Sequence, residues 1–245
     1  MTHDDLTGGD GPFPTTVWSM LGSADGPWHP VVTGFFLRYR PAMKAHLVRR
    51  RGLRPDEADD LVQGFICSKV IEKRLLAQAD SRRGRFRSFL LTALDHYLIS
   101  ERRARRAHRR APESLVALGD DVDVEDVRAG PHRAFDVEWA RQVLVEAIAR
   151  MRGACAANRR PDLWGVFETR VLDPLLEQSE PVAYERLVER FGFASPAAAS
   201  NALITARRMF VRHLREVVGE YAVGDDGIEQ EIRDLRRVLE EGGVM

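Results

Sequence analysis

The chain has 245 residues, of which 44% are hydrophobic and 30% are charged, as in ordinary folded proteins. Lys and Arg total 37 and Asp and Glu total 37, so net charge provides no general attraction to a polyanion. No apolar run approaches the roughly 18 residues that span a membrane, and the acidic, glycine-rich N-terminus is unlike a signal peptide. These features exclude a membrane-spanning protein and predict a cytoplasmic one.

Helical patterns follow one another along the chain, and no segment has the pattern of a strand. Residues 1–12 are predicted to be disordered because Gly and Asp dominate them. Residues 29–52 place apolar side chains at helical spacing. Pro41 is expected to kink or restart this helix, and Gly52 to end it.

A second helix, predicted over 54–76, has two different faces. Pro55 suits its first position, and Ala58, Leu61, Val62, Phe65 and Ile66 form an apolar stripe. The opposite side carries the polar residues Asp56, Asp59, Asp60 and Gln63. The pattern therefore predicts an acidic surface near the start of this helix.

Residues 82–110 form a basic segment. It contains arginines at 82, 83, 85, 87, 102, 103, 105, 106, 109 and 110, and its acids are Asp95 and Glu101. Phe86, Phe89 and Leu90 begin a helical stripe between the two groups of arginines. Such a segment indicates either a surface for a polyanion or a solvated helix face.

An acidic linker is predicted at 111–134, where GDDVDVEDV (119–127) has five acids and no base. Helical patterns resume at 135 and continue to about 221, and a final amphipathic segment covers 227–242. The fold class predicted is all-α, with two helical modules joined by the linker and followed by a C-terminal helix.

Residues 182–214 have the pattern of a helix–turn–helix. Gly192 suits the turn, and Ser195 and Pro196 suit the cap and first position of the second helix. Leu203, Ile204, Met209 and Phe210 are expected to be buried, leaving Ser200, Asn201, Thr205, Arg207, Arg208 and Arg212 exposed. Many such corners bind no DNA, and the alanines at 197–199 are bland for a surface that reads bases, so the pattern alone leaves DNA binding open.

The motifs in this order resemble a known family. FPTTVWS (13–19), DEADDLVQGF (56–65), RGRFRSFLLTALDHYLISERRARRA (83–107) and the helix–turn–helix are together similar to the extracytoplasmic-function (ECF) group of bacterial RNA polymerase sigma factors. The resemblance covers roughly 13–220. It implies sigma region two at 13–110, the linker at 111–134, sigma region four at 135–222 and a C-terminal helical extension at 223–245.

The resemblance also implies partners and roles. Core RNA polymerase would be bound at its β′ clamp helices and β flap, with promoter DNA as the second partner and an anti-sigma factor or regulatory kinase as further candidates. The residues implied in clamp binding are Asp56, Asp59, Asp60 and Gln63. Those implied at the minus-ten element are Arg82, Arg83, Arg85, Arg87, His96, Arg102, Arg103 and Arg106. Those implied at the minus-thirty-five element are Ser195, Ala198, Ser200, Asn201, Thr205, Arg207, Arg208 and Arg212.

Two departures from the family pattern leave alternatives open. Asp95 lies where a basic or neutral residue is expected on the DNA-facing helix, and Gly64 replaces a more typical Glu. With the alanine-rich recognition helix, Asp95 also suits a sigma-like adaptor that binds polymerase or another partner without choosing promoters. The C-terminal helix is expected to pack on region four, pair with a partner or mask a DNA surface. No catalytic constellation, cofactor motif or metal-ligand spacing is found, so no enzyme is predicted.

Overall fold

The computed structural model describes residues 30–68, 86–109, 133–222 and 224–241. In these ranges the chain is nearly all helical and contains no strand, which confirms a mostly helical protein. The helices are α1 (Pro30–Arg51), α2 (Pro55–Phe65), α3 (Phe86–Arg109), α4 (Arg133–Ala157), α5 (Pro161–Phe167), α6 (Asp173–Glu177), α7 (Tyr184–Phe191), α8 (Pro196–Gly219) and α9 (Gly224–Glu241). A π-helical turn, Glu168–Leu172, joins α5 to α6. The predicted acidic run at 119–127 lies outside the described residues.

The first two helices follow their local signals, with one exception. Gly52 ends α1 at a φ of 66°, and Pro55 opens α2 with Asp56 and Glu57 in the first turn. The restart expected at Pro41 does not occur, because α1 runs through Pro41 as one helix. Tyr39 and Met43, on either side of that proline, are both buried, so core packing holds the helix together across the missing hydrogen bond.

One hydrophobic core joins helices from both sides of the predicted linker. It takes side chains from α1, α2, α3, α4 and α9 and from the end of α8. At its centre Tyr39 of α1 stacks on Trp139 of α4 with ring centroids 3.8 Å apart. The ring centroids of Phe35 and Tyr221 are 6.0 Å apart, and those of Phe86 in α3 and Trp139 are 6.3 Å apart. The two predicted modules therefore pack on each other.

An ion-pair network lies on the edge of this core. Arg38 of α1 is 3.3 Å from Glu146 of α4 and 2.7 Å from Glu220, which follows α8. Arg150 of α4 pairs with the same two carboxylates. Because four charges alternate in sign across three elements, the network fixes how α1, α4 and the end of α8 meet.

The helix–turn–helix has a smaller core of its own. Leu187 of α7 and Leu203 of α8 are buried with Val166 of α5. Gly165 of α5 lets α7 approach closely, since a Cβ there would lie 2.1 Å from the ring of Phe191. α7 ends at Gly192, whose φ is 71°, as the sequence predicted.

Candidate nucleic-acid interface

The polar face of α2 is only partly open. Asp56, Asp60 and Gln63 are exposed. Asp59 is instead held by α1, where Arg40 donates to it at 3.1 Å and Lys44 also bonds to it. The hydrogen bond from Lys44 lowers the pKa of Asp59 below its usual value. Asp59 therefore lies at the edge of this face with its carboxylate engaged by two cations of α1, and its role in clamp binding stays a prediction.

Gly64 allows α2 and α3 to meet. A Cβ at this position would lie 2.6 Å from the hydroxyl oxygen of Tyr97, which is closer than real contacts allow. Since the glycine faces α3, its departure from the family pattern has a packing cause in this chain.

Arg87, in the first turn of α3, points inward. Its side chain is 5% exposed, with Nε 2.7 Å from Glu231 of α9 and Nη1 donating to Asp136 of α4. Burial lowers the pKa of the guanidinium, but the carboxylates of Glu231 and Asp136 offset this and raise it above its usual value. In this arrangement Arg87 is closed to DNA, because two carboxylates from distant helices surround it, and its role at the minus-ten element stays a prediction. We call Arg87, Asp136 and Glu231 the Arg87 cluster.

Asp95 of α3 also faces the interior. It is 1% exposed and accepts hydrogen bonds from His46 at 2.9 Å and from Arg51 at 2.9 and 2.6 Å. Burial raises the pKa of Asp95, but the bonds from His46 and Arg51 bring it to about 2. The acid that departs from the expected pattern on this helix therefore faces the interior, where it anchors α3 to α1.

The outer side of α3 keeps the remaining predicted residues. His96, Arg102, Arg103 and Arg106 are exposed, and so is Arg105, which the predicted set omitted. The spacing of 102, 105 and 106 along one side of a helix is the signal that could have included it. The predicted residues Arg82, Arg83 and Arg85 lie outside the described residues.

Helix α8 presents an open polar and cationic face. Asn201, Thr205, Arg207, Arg208 and Arg212 are exposed, and Ala198 and Ser200 are half-buried. The Ser195 hydroxyl accepts from the backbone N–H of Ala198 at 3.2 Å, so its role is the helix cap. The Thr205 hydroxyl donates to the carbonyl of Asn201 at 3.0 Å, one turn back along the helix.

Ile204 was expected to be buried and is 47% exposed. The buried stripe of α8 contains Ala199, Ala202, Leu203 and Ala206. Ile204 follows Leu203 directly and is therefore turned about 100° away from it around the helix. Ile204 thus joins Asn201 and Arg208 on the exposed face.

Helix α9 packs on α4 and α8. Leu235 and Leu239 enter the main core, and Ile228 and Ile232 pack against it. Glu231 and Asp234 are buried. Of the three roles considered for the C-terminal helix, packing is therefore observed, and through Glu231 it reaches α3 as well as the second helical block.

Among the side chains placed by the structure, no group of His, Cys, Asp or Glu could hold a metal ion. None of the described helices is long and apolar enough to span a bilayer. Comparisons with protein-family models, with curated proteins and with solved structures each found no match.

Proposed function

We propose that this chain is an alternative sigma factor of the ECF type, which binds core RNA polymerase and directs it to promoters. The observation that carries the proposal is the helix–turn–helix formed by α7, Gly192 and α8. It combines a left-handed glycine turn, a capped second helix and an exposed face containing Asn201, Thr205 and Arg208. This is the arrangement in which a second helix enters the major groove.

The charge around α8 supports DNA as its ligand. Residues 191–215 contain no acid, while Arg207, Arg208 and Arg212 are exposed. Arginines bind phosphates and position a helix in the groove, and an amide such as that of Asn201 matches the edge of adenine. Ile204 and Thr205 are exposed on the same helix, and their side chains contain methyl groups of the kind that contact thymine.

The first helices support the polymerase and minus-ten roles. Asp56, Asp60 and Gln63 form an exposed acidic and polar face on α2. Such a face suits a basic helical partner, which is the role that the resemblance gives to the β′ clamp helices. The exposed arginines at 102–106 of α3 suit the phosphates of a displaced strand.

The experiment is genome-wide run-off transcription with purified chain and core polymerase. The proposal predicts discrete new transcripts whose start sites share an upstream motif. Asp60→Lys should abolish the polymerase complex on gel filtration, since it reverses an exposed charge on α2. Arg208→Ala should keep the complex and lose the transcripts. Glu240→Lys, on the exposed side of α9, is the matched charge control for Asp60→Lys.

Three outcomes separate the candidates. Transcripts that depend on both Asp60 and Arg208 support a sigma factor. A stable complex without transcripts favours the adaptor, for which the bland Ala197–Ala199 start of α8 is the supporting feature. Absence of any complex would refute the role given to α2.

A further inference from the structure

The Arg87 cluster joins three helices that are distant in sequence. Arg87 in α3 is 144 residues from Glu231 in α9 and 49 from Asp136 in α4. Arg87 and Glu231 are 5% and 6% exposed, so the contact excludes water. A buried ion pair adds little net stability over apolar packing, but breaking it by removing one partner is strongly destabilising, because the other charge is left buried.

The contacts of Arg87 are those a nucleic acid would make. Guanidinium groups bind carboxylates and phosphates in the same forked geometry. Glu231 approaches the guanidinium with both oxygens: Nη2 donates to Oε2 at 3.3 Å, and Oε1 lies 2.7 Å from Nε as an ion pair without hydrogen-bond geometry. While Glu231 occupies Arg87, a phosphate cannot.

The first turn of α3 packs on α4 and α9, and we call this packing the closed arrangement. It also limits the distance between Arg87 and the exposed face of α8. Phe86 lies 6.4 Å from Tyr221, at the end of α8. Asn201 is twenty residues back along α8, about 30 Å at 1.5 Å per residue, so Arg87 and Asn201 lie within about 45 Å. The minus-ten and minus-thirty-five elements are about 25 base pairs apart, or about 85 Å of duplex. The closed arrangement therefore cannot place both residues on their elements together.

We propose that α9 keeps the chain closed by placing Glu231 on Arg87 where a DNA phosphate would bind, and that binding of promoter DNA by α3 requires α9 to release Arg87. This inference rests on the proposed function for the identity of the competing ligand. The intramolecular contact itself is independent of that function. Closure and DNA binding then oppose each other, so weakening one strengthens the other.

Hydrogen exchange measured by mass spectrometry on the full chain tests the closure. Glu231→Lys places a cation against Arg87 and should raise amide exchange in the first turns of α3 and throughout α9, together and on the order of a hundredfold. Glu240→Lys makes the same charge change on the exposed side of α9 and should leave both segments protected. The apolar pair Arg87→Met with Glu231→Leu should also stay protected, because it removes the two buried charges at once and leaves only the Asp136 carboxylate, which is a quarter exposed to water.

Single-stranded DNA binding tests the competition. The probe is a fluorescein-labelled 20-nucleotide strand of mixed sequence, measured by anisotropy at fixed salt. Glu231→Lys should bind it about tenfold more tightly than Glu240→Lys, because only the first frees Arg87. Adding Arg87→Ala to Glu231→Lys should remove that gain. If Glu231→Lys does not fold by circular dichroism, Glu231→Gln removes only the charge and replaces it in both measurements.

The proposal fails if Glu231→Lys leaves α3 and α9 as protected as in the unaltered chain. It fails equally if release occurs and DNA binding does not improve over Glu240→Lys. Run-off transcription by the unaltered chain tests the sigma-factor role separately, so a chain without transcripts can still show the release and the DNA gain. The two failures are therefore distinguishable.

Discussion

The start of α3 and the first half of α8 carry similar chemistry in opposite surroundings. Both place arginine on a helix beside aromatic or branched apolar side chains. Arg87 is sealed between Asp136 and Glu231, whereas Arg208 is exposed beside Asn201 and Ile204. The difference lies in whether another helix brings carboxylates, since nothing in the two local sequences distinguishes them. An arginine-rich helix is thus a DNA surface only where the rest of the fold leaves it open.

Replacing Arg87 or Arg208 by alanine should give the largest difference in stability between the two regions. Arg87→Ala leaves Glu231 buried without its guanidinium, so we expect the free energy of unfolding to fall by about 3–5 kcal/mol. Arg208→Ala removes an exposed side chain and should change it by less than about 0.5 kcal/mol. Urea denaturation followed by circular dichroism measures both. Equal losses for the two variants would remove the contrast between the helices.

Low pH should weaken the packing of α3 on α1, because it protonates Asp95. Its pKa is about 2 in the folded chain against an ordinary 3.8, so the stabilisation is present above about pH 4 and is lost as pH falls toward 2. That difference corresponds to about 2 kcal/mol. The gap in unfolding free energy between the unaltered chain and Asp95→Asn should therefore narrow by about that amount between pH 5 and 2.5. Asp226→Asn, at an exposed acid of α9, should show no such narrowing.

The close approach of Gly64 to Tyr97 gives a smaller expected effect, which again depends on the packing of one helix on another. Alanine favours a helix by about 1 kcal/mol over glycine, but here its Cβ would meet the Tyr97 hydroxyl. We expect Gly64→Ala to destabilise the chain by about 1 kcal/mol. In a Tyr97→Phe background the same substitution should stabilise it by about that amount. A double-mutant cycle by thermal unfolding measures the change of sign, and its absence would mean that α2 does not press on α3 there.

The exposed face of α8 should respond in DNA binding and hardly in stability. Arg208→Ala should weaken binding to duplex promoter DNA and reduce the slope of log affinity against log salt by about one. Glu189→Ala, at an exposed acid of α7, should leave the slope unchanged. DNA titrations at several salt concentrations measure this slope. An unaltered slope for Arg208→Ala would mean that this arginine contacts no phosphate.

Local signals predicted much of the fold. The apolar stripe of α2, the left-handed Gly192 and the Ser195 cap all depend on neighbours within a few residues, and each is confirmed. Spacing of 3.6 residues and the chemistry of caps act over one turn of helix, so the sequence alone contains that information.

The surroundings of polar residues could not be predicted in this way. Asp59 was placed by its helix face and Arg87 by the resemblance, but each is engaged by a helix elsewhere in the chain, and so is Asp95. Ile204 was misplaced for a related reason, since it lies at the edge of a stripe whose centre tertiary packing decides. The division into sigma region two at 13–110, for polymerase and the minus-ten element, and sigma region four at 135–222, for the minus-thirty-five element, stays a prediction.

The contact between Phe35 and Tyr221 also has a consequence during synthesis. The two rings are 186 residues apart in the chain, as 221 minus 35 gives. At about 5–20 residues per second, Tyr221 is made roughly 10–40 s after Phe35. Through that interval the aromatic side chains of α1 lack their C-terminal partners on the ribosome. The main core is therefore completed only after the last helices, which supply Tyr221, Leu235 and Leu239, have emerged.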